Sequence, residues 1–378
     1  MPYESVDALQ RALSEDVFHY AKDAKKAAGR ALGTFVEIIT FYLIKSWGYE
    51  KSTAIERRLP EYANPDITHN VEFSLHPSYE LGSLKIAKSE LPLTSKKLAK
   101  LLPAIDWDSG DLKSTQLLTS EEVLRNACTL YEDNSRFIVA YLGKTTETMY
   151  RVSVNQLTPH PFAFVECKRV GVEEGVKKGP QTIEKAKQGA YVARTVSSLQ
   201  KIRMSDGSVY GFLHLNNGEL RHAPYEQFLR NVVASDDPAL LRDFTLTVGV
   251  VSNHGNWFTS DDHNKELKVL AQSYDWLLFL SDAGLSTFVE SLLVRPQKKY
   301  KPIRDAFVRS YSGKKGKNRF TKVQIALDAD LALQEYFSSN LAAIETWFNV
   351  ISPAGQSVAE VKQELTLLSS KNWKEILS

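Results

Sequence analysis

The chain has 378 residues, 43% hydrophobic and 24% charged, with a formal net charge of +2, the make-up of an ordinary soluble globular protein long enough for two or three packed subdomains. No run of about 18 apolar residues stands out, which argues against a membrane span, and the acidic-polar start, residues 1–16, lacks the apolar centre of a secretory signal. Only Cys128 and Cys167 occur, too few for a disulfide framework or a four-thiolate zinc site, so a reducing, cytoplasmic location is expected.

From Val17 to Trp47 apolar residues recur at helical spacing through Tyr20, Ala24, Ala28, Ala31, Phe35, Ile39 and Tyr42 or Leu43, and Gly48 stops the helix. A polar stretch over 50–64 leads into Pro65-Asp66 and a strand at Val71 to Leu75. Residues 77–130 read as mixed loops and short helices, with Lys85, Lys88, Lys96, Lys97 and Lys100 forming a basic patch. Arg136 to Leu142 and Met149 to Val154 read as a hairpin turning at Gly143-Lys144-Thr145-Thr146. The strand Phe162 to Lys168 follows. Gly179-Pro180 then opens a helix expected to run to about Arg203, since proline suits a first helical position. Strands are expected at Val209 to Leu215 and at Phe244 to Ser252, the latter so continuous in β-formers that both its faces should be buried. Lys265 to Leu293 and Val323 to Leu377 look mainly helical. Between them, Arg295 to Lys322 carries 11 basic residues against one acid, Asp305, interleaved with Tyr300, Phe307, Tyr311 and Phe320, which would suit a phosphate-backbone surface.

The most informative stretch is Phe162-Ala163-Phe164-Val165-Glu166-Cys167-Lys168. Alternation sends Glu166 and Lys168 to one face of a sheet, and Val165 and Cys167 to the other. A carboxylate and an amine at the end of a buried strand are costly unless something uses them. Metal-assisted hydrolysis wants this pair: the acid holds a divalent cation and the lysine positions and deprotonates the attacking water. The histidines show no zinc-type spacing, and neither a P-loop nor a nucleophile elbow is present.

The order helix, hairpin strands, strand, helix, strand, strand, with Glu37 in the first helix, Pro65-Asp66, Glu166-Cys167-Lys168, and Gln188 in the helix after that strand, resembles the PD-(D/E)XK nuclease superfamily, the fold of most type II restriction endonucleases. The resemblance covers roughly residues 17–252. It implies an α/β fold: a restriction-endonuclease-like core with a mixed central sheet flanked by helices, plus a large insertion and a helical, basic C-terminal region. The expected division is 1–76 for the first helix and first part of the core, 77–160 for an insertion that reads DNA, 161–252 for the catalytic core and 253–378 for the helical C-terminal region with its basic segment 295–322.

The resemblance also implies roles. Asp66, Glu166 and the main-chain carbonyl of Cys167 would ligate Mg²⁺, Lys168 would act on the attacking water, and Glu37 and Gln188 would support the site. Asp66 lies 100 positions before Glu166, farther than the pattern usually allows, which leaves Glu72 and Asp133 as alternatives for the second acid. Gly33 and Gly29, one and two turns before Glu37, let that helix approach the sheet closely. Arg169, Lys177 and Lys178 in the loop after the strand, Lys185 on the following helix, and Lys314, Lys315, Lys317 and Arg319 in the basic segment are candidate DNA contacts. The function implied is a Mg²⁺-dependent, sequence-specific double-stranded DNA endonuclease, a type II restriction enzyme leaving 5′-phosphate ends, working as a homodimer on a two-fold site. A structure-specific repair or recombination nuclease of the same fold and a catalytically silent DNA-binding protein are the alternatives.

Overall fold

The computed structural model describes residues 6–19, 23–107, 111–133, 135–170, 189–215, 217–253, 270–311 and 319–378. Its centre is a mixed six-stranded sheet of β1 (Thr53–Arg57), β2 (Val71–Leu75), β3 (Ala163–Val170), β4 (Leu246–Asn253), β5 (Trp276–Leu280) and β6 (Phe348–Ser352), in that spatial order. The pairs β1–β2, β2–β3 and β5–β6 are antiparallel, while β3–β4 and β4–β5 are parallel. Parallel neighbours need cover on both faces, and the chain supplies it. Helix α1 (Ala24–Ser46) shares a core with Phe73, Val165 and Cys167, stacking the Phe41 ring on Phe73 at 5.8 Å, while Phe35 meets Phe288 and Phe307 and Tyr42 meets Phe337. On the other face helix α2 (residues 189–196) sets Ala190, Val192, Ala193 and Val196 against Phe164, Val251, Tyr274 and Leu277. Gly249 in β4 makes room there, since a Cβ would meet the Tyr274 ring at 2.8 Å.

Several expectations need correcting. The first helix, expected from Val17, is α1 from Ala24, and a π-helical turn at Leu13–Val17 comes before it; Tyr20 lies outside the described residues. Within α1, Ala27–Ser46 is apolar and long enough to cross a membrane, although no such run stands out by eye; 67% of its most apolar window is buried in this core. The helix expected to reach Arg203 ends at residue 196, and Leu199–Arg203 instead pairs antiparallel with Val209–His214. The turn between them is made by Asp206, which accepts the Ser208 N–H, and by Gly207 at φ +87°. Trp276–Leu280, read as helix, is β5: an unbroken apolar run cannot be told from a buried helix by periodicity. Phe348–Ser352, also read as helix, is the antiparallel edge strand β6.

Residues 77–160, expected as an insertion, are largely a four-stranded antiparallel sheet ordered Ser78–Ala87, Met149–Leu157, Phe137–Leu142, Cys128–Glu132. It contains the anticipated hairpin and a ten-residue strand, Ser78–Ala87, where short helices and loops were expected. A smaller sheet joins the insertion to the C-terminal region, because Gln324–Ala326 pairs with Val123–Arg125.

Candidate active site at the splayed ends of β2 and β3

Backbone pairing between β2 and β3 runs only as far as Phe73–Val165. Beyond that point the two strands exchange side chains for carbonyls. The Glu72 N–H donates to Glu166 Oε1 at 3.3 Å, and the Cys167 N–H donates to Glu72 Oε2 at 2.6 Å. Each acid thus satisfies an amide that the ladder has released, so both carboxylates are fixed by the main chain. Across them lies Lys168, with Nζ 3.1 Å from Glu166 Oε2 and 3.7 Å from Glu72 Oε1. Glu166 is 1% exposed, yet beyond the Lys168 ammonium its Oε2 has no hydrogen-bond partner among the described residues.

Two neighbours close this side. Gly189, the first described residue of α2, lies so near the site that a Cβ there would be 2.7 Å from the Tyr274 hydroxyl, 3.3 Å from Lys168 Cε and 3.6 Å from Glu166 Oε2. The Tyr274 hydroxyl is buried and likewise unpartnered among the described residues. His69, on the turn before β2, is held below the usual imidazole range by burial and then by the Lys168 ammonium.

The other side holds a second ammonium. Lys322 Nζ lies 3.2 Å from Glu37 Oε2, 3.5 Å from Glu56 Oε1 and 3.7 Å from Glu72 Oε1. Glu37 reaches in from α1. Glu56 sits in β1 between the residues paired with Phe73 and Val71, and adopts φ +51°, a left-handed conformation unusual for a side chain of its size. Neither Glu56 nor Lys322 was among the expected site residues.

Burial first, then the Lys168 and Glu72 charges, set the Glu166 carboxyl at about 7. Burial and the Glu72 carboxylate push Glu37 to about 7 against the opposing pull of Lys322. Burial would lower both lysines, but their carboxylates outweigh it and the net shift of Lys168 and Lys322 is upward. Glu37 and Glu166 therefore keep protons in the folded chain that the unfolded chain gives up near 4.5. Their stabilising share is present below that pH and is lost as pH rises through about 7. In chelator, the thermal midpoint should accordingly fall between about pH 5 and 7.5, and Glu37→Gln should flatten the fall. Parallel curves for wild type and variant would contradict the assignment.

The structure brings together Glu37, Glu166 and Lys168, with Glu72 as the second acid beside Glu166. Asp66 is exposed on the turn before β2, where its N–H donates to Asn64 Oδ1 and its Oδ2 accepts from the Tyr191 hydroxyl at 3.2 Å. Asp133 organises a turn of the insertion, accepting from the Ser135 and Arg136 amides at 2.6 Å each and from the Tyr131 hydroxyl at 2.8 Å. The Cys167 thiol points to the α1 face, where burial raises it well above its usual value, as suits an inert buried side chain. Arg319 pairs with Glu121 of the insertion. Arg169 lies in β3, but its side chain is outside the description. Lys177, Lys178, Lys185, Gln188, Lys314, Lys315 and Lys317 lie outside the described residues.

Among the described residues, no group of three or more His, Cys, Asp or Glu side chains could hold a metal ion. No family model, curated protein or solved structure matches the chain.

Proposed function

We propose that this site hydrolyses DNA phosphodiesters with Mg²⁺, and that the protein is a sequence-specific double-stranded DNA endonuclease of the PD-(D/E)XK type with a restriction-endonuclease-like core. The observation that carries this reading is the mutual capture of strand amides by Glu72 and Glu166 with Lys168 across both acids. The order α1, β1, β2, β3, α2, β4, with Glu37 on the first helix, supports it. Glu72 takes the role first expected of Asp66.

The residues fit Mg²⁺ even though they form no closed cage of acids. Mg²⁺ retains several waters and uses one or two carboxylates plus substrate phosphate, so Glu72 and Glu166 suffice. The buried Glu166 Oε2, whose partner is the Lys168 ammonium alone among the described residues, is the kind of hard oxygen it takes. When bound there, the ion would polarise the scissile phosphoryl group and lower the pKa of water. The remaining work belongs to the chain. Lys168, held by two acids, orients the attacking water and stabilises negative charge developing on phosphorus oxygens. Glu166 and Glu72 keep the lysine in place, and the cover of Tyr274 and α2 keeps that end of the site dry.

For DNA engagement the basic segment and the insertion are joined, since Gln324–Ala326 pairs with Val123–Arg125 and Arg319 contacts Glu121. The reading takes these as one gripping and base-reading unit in a homodimer.

The test is digestion of a long duplex of known sequence. Discrete fragments with 5′-phosphate ends should form with Mg²⁺, and none with Ca²⁺ or chelator. Nicking that follows DNA shape and not sequence would favour the repair-type alternative. Site-specific binding without cuts in any divalent metal would leave a silent DNA-binding protein.

A further inference from the structure

We propose that Lys322 is an internal counter-ion that occupies the cation side of the site and must be displaced when a divalent cation binds. The inference rests on the metal-dependent reading given above.

Glu72 decides the matter. Its Oε2 is taken by the Cys167 N–H, so Oε1 is the atom left to face a cation, and that atom has an ammonium 3.7 Å away on each side, Lys168 and Lys322. A dication on the same oxygen cannot coexist with both, because like charges at such spacing in a buried site repel strongly. Lys168 is paired with the buried Glu166 at 3.1 Å and has no half-exposed acid to move to among its described partners, so the movement is assigned to Lys322. Lys322 has an exit. One of its three carboxylates, Glu56, has a half-exposed side chain, while Glu37 and Glu72 are largely covered. Swinging toward Glu56 would free Glu72 and Glu37 without breaking any strand pairing.

The lysine's position is built by the fold. Its own carbonyl accepts from the Asn126 side chain at 3.0 Å, the next carbonyl, of Val323, accepts from the Asn126 N–H at 2.9 Å, and the chain then enters the small sheet shared with the insertion. The side chain is 6% exposed and its ammonium lies 5.8 Å from the Phe73 ring centre. A residue of the C-terminal region thereby reaches the acids from the opposite side to Lys168. The Tyr274 hydroxyl, buried and without a hydrogen-bond partner among the described residues, lies beside the same acids on the Lys168 side.

The experiment has two arms, both on the full chain with Mn²⁺ as the probe. In wild type, a brief pulse of acetic anhydride followed by peptide mass mapping should modify Lys322 about fivefold or more faster in saturating Mn²⁺ than in chelator, because displacement strips its ion pairs. By calorimetry, Lys322→Met should bind Mn²⁺ about tenfold or more tightly than wild type, because the repelling charge is gone. If melting shows that Lys322→Met is unfolded, the wild-type labelling alone decides. Unchanged or slower labelling, or a folded variant with equal or weaker affinity, overturns the role of Lys322 and leaves the nuclease reading standing. Mn²⁺ binding to neither protein overturns the metal-dependent reading and this inference together.

Discussion

Glu72→Gln should lower Mg²⁺-dependent cleavage on the order of 10³-fold, while Asp66→Asn should leave it within about threefold of wild type. The contrast follows from where the two acids sit. Glu72 is tied to the Cys167 amide and faces Lys168 and Lys322, whereas Asp66 is exposed and hydrogen-bonded to Tyr191. The glutamine still accepts the amide hydrogen bond, so the fold should persist and the loss should be chemical. Single-turnover cleavage of a cognate duplex, with binding measured in Ca²⁺, separates the cases. A normal Glu72→Gln enzyme alongside an inactive Asp66→Asn would return the ligand role to Asp66.

Glu166→Ala should abolish cleavage and Lys168→Ala should lower it severely, for different reasons that metal binding can tell apart. On the proposed reading, removing Lys168 deletes the group that orients water and stabilises charge, a loss of about 10²- to 10³-fold. It also removes a positive neighbour of both acids, so affinity for Mn²⁺ should stay the same or rise. Removing Glu166 takes away a ligand and frees the Glu72 amide, so affinity for Mn²⁺ should fall. Duplex binding should survive in both variants, because the expected phosphate contacts lie elsewhere. Weaker Mn²⁺ binding in Lys168→Ala would mean that the lysine only holds the acids in place.

Much of this core could be read from the chain. The helical spacing through Phe35 and Ile39 marks α1, and the alternation of Glu166 with Cys167 and Lys168 puts the acid and the amine on one face, as found. The continuous β-formers of Leu246–Asn253 mark a strand buried on both faces. Local signals could not choose between Asp66 and Glu72. Pro65-Asp66 looks like the motif, whereas the proposed role of Glu72 rests on pairing of β2 with β3 that stops at Phe73 and makes the next acid a partner for Cys167. That register is a property of two segments about 90 residues apart, as the 94-residue separation of Glu72 and Glu166 indicates.

Lys322 was hidden for a similar reason. It ends a run of basic residues whose simplest reading is a solvated surface, and nothing nearby says that the chain then joins a sheet of the insertion and turns one lysine inward. Glu56 lies in a polar stretch with no periodicity to place it. Trp276–Leu280 carries five apolar residues in a row, a pattern that fits a buried helix as well as a strand, so tertiary pairing had to decide.

The central claim is that Glu72 and Glu166 converge on one divalent cation at a scissile phosphate. A crystal structure with Ca²⁺ and a duplex oligonucleotide, read by anomalous scattering, tests it most directly. The account predicts an ion roughly 2.3–2.6 Å from an oxygen of each of the two carboxylates and of a backbone phosphate, with Lys168 beside it. A DNA-bound structure in which the ion lies away from both acids, or the duplex lies on another face, would contradict it.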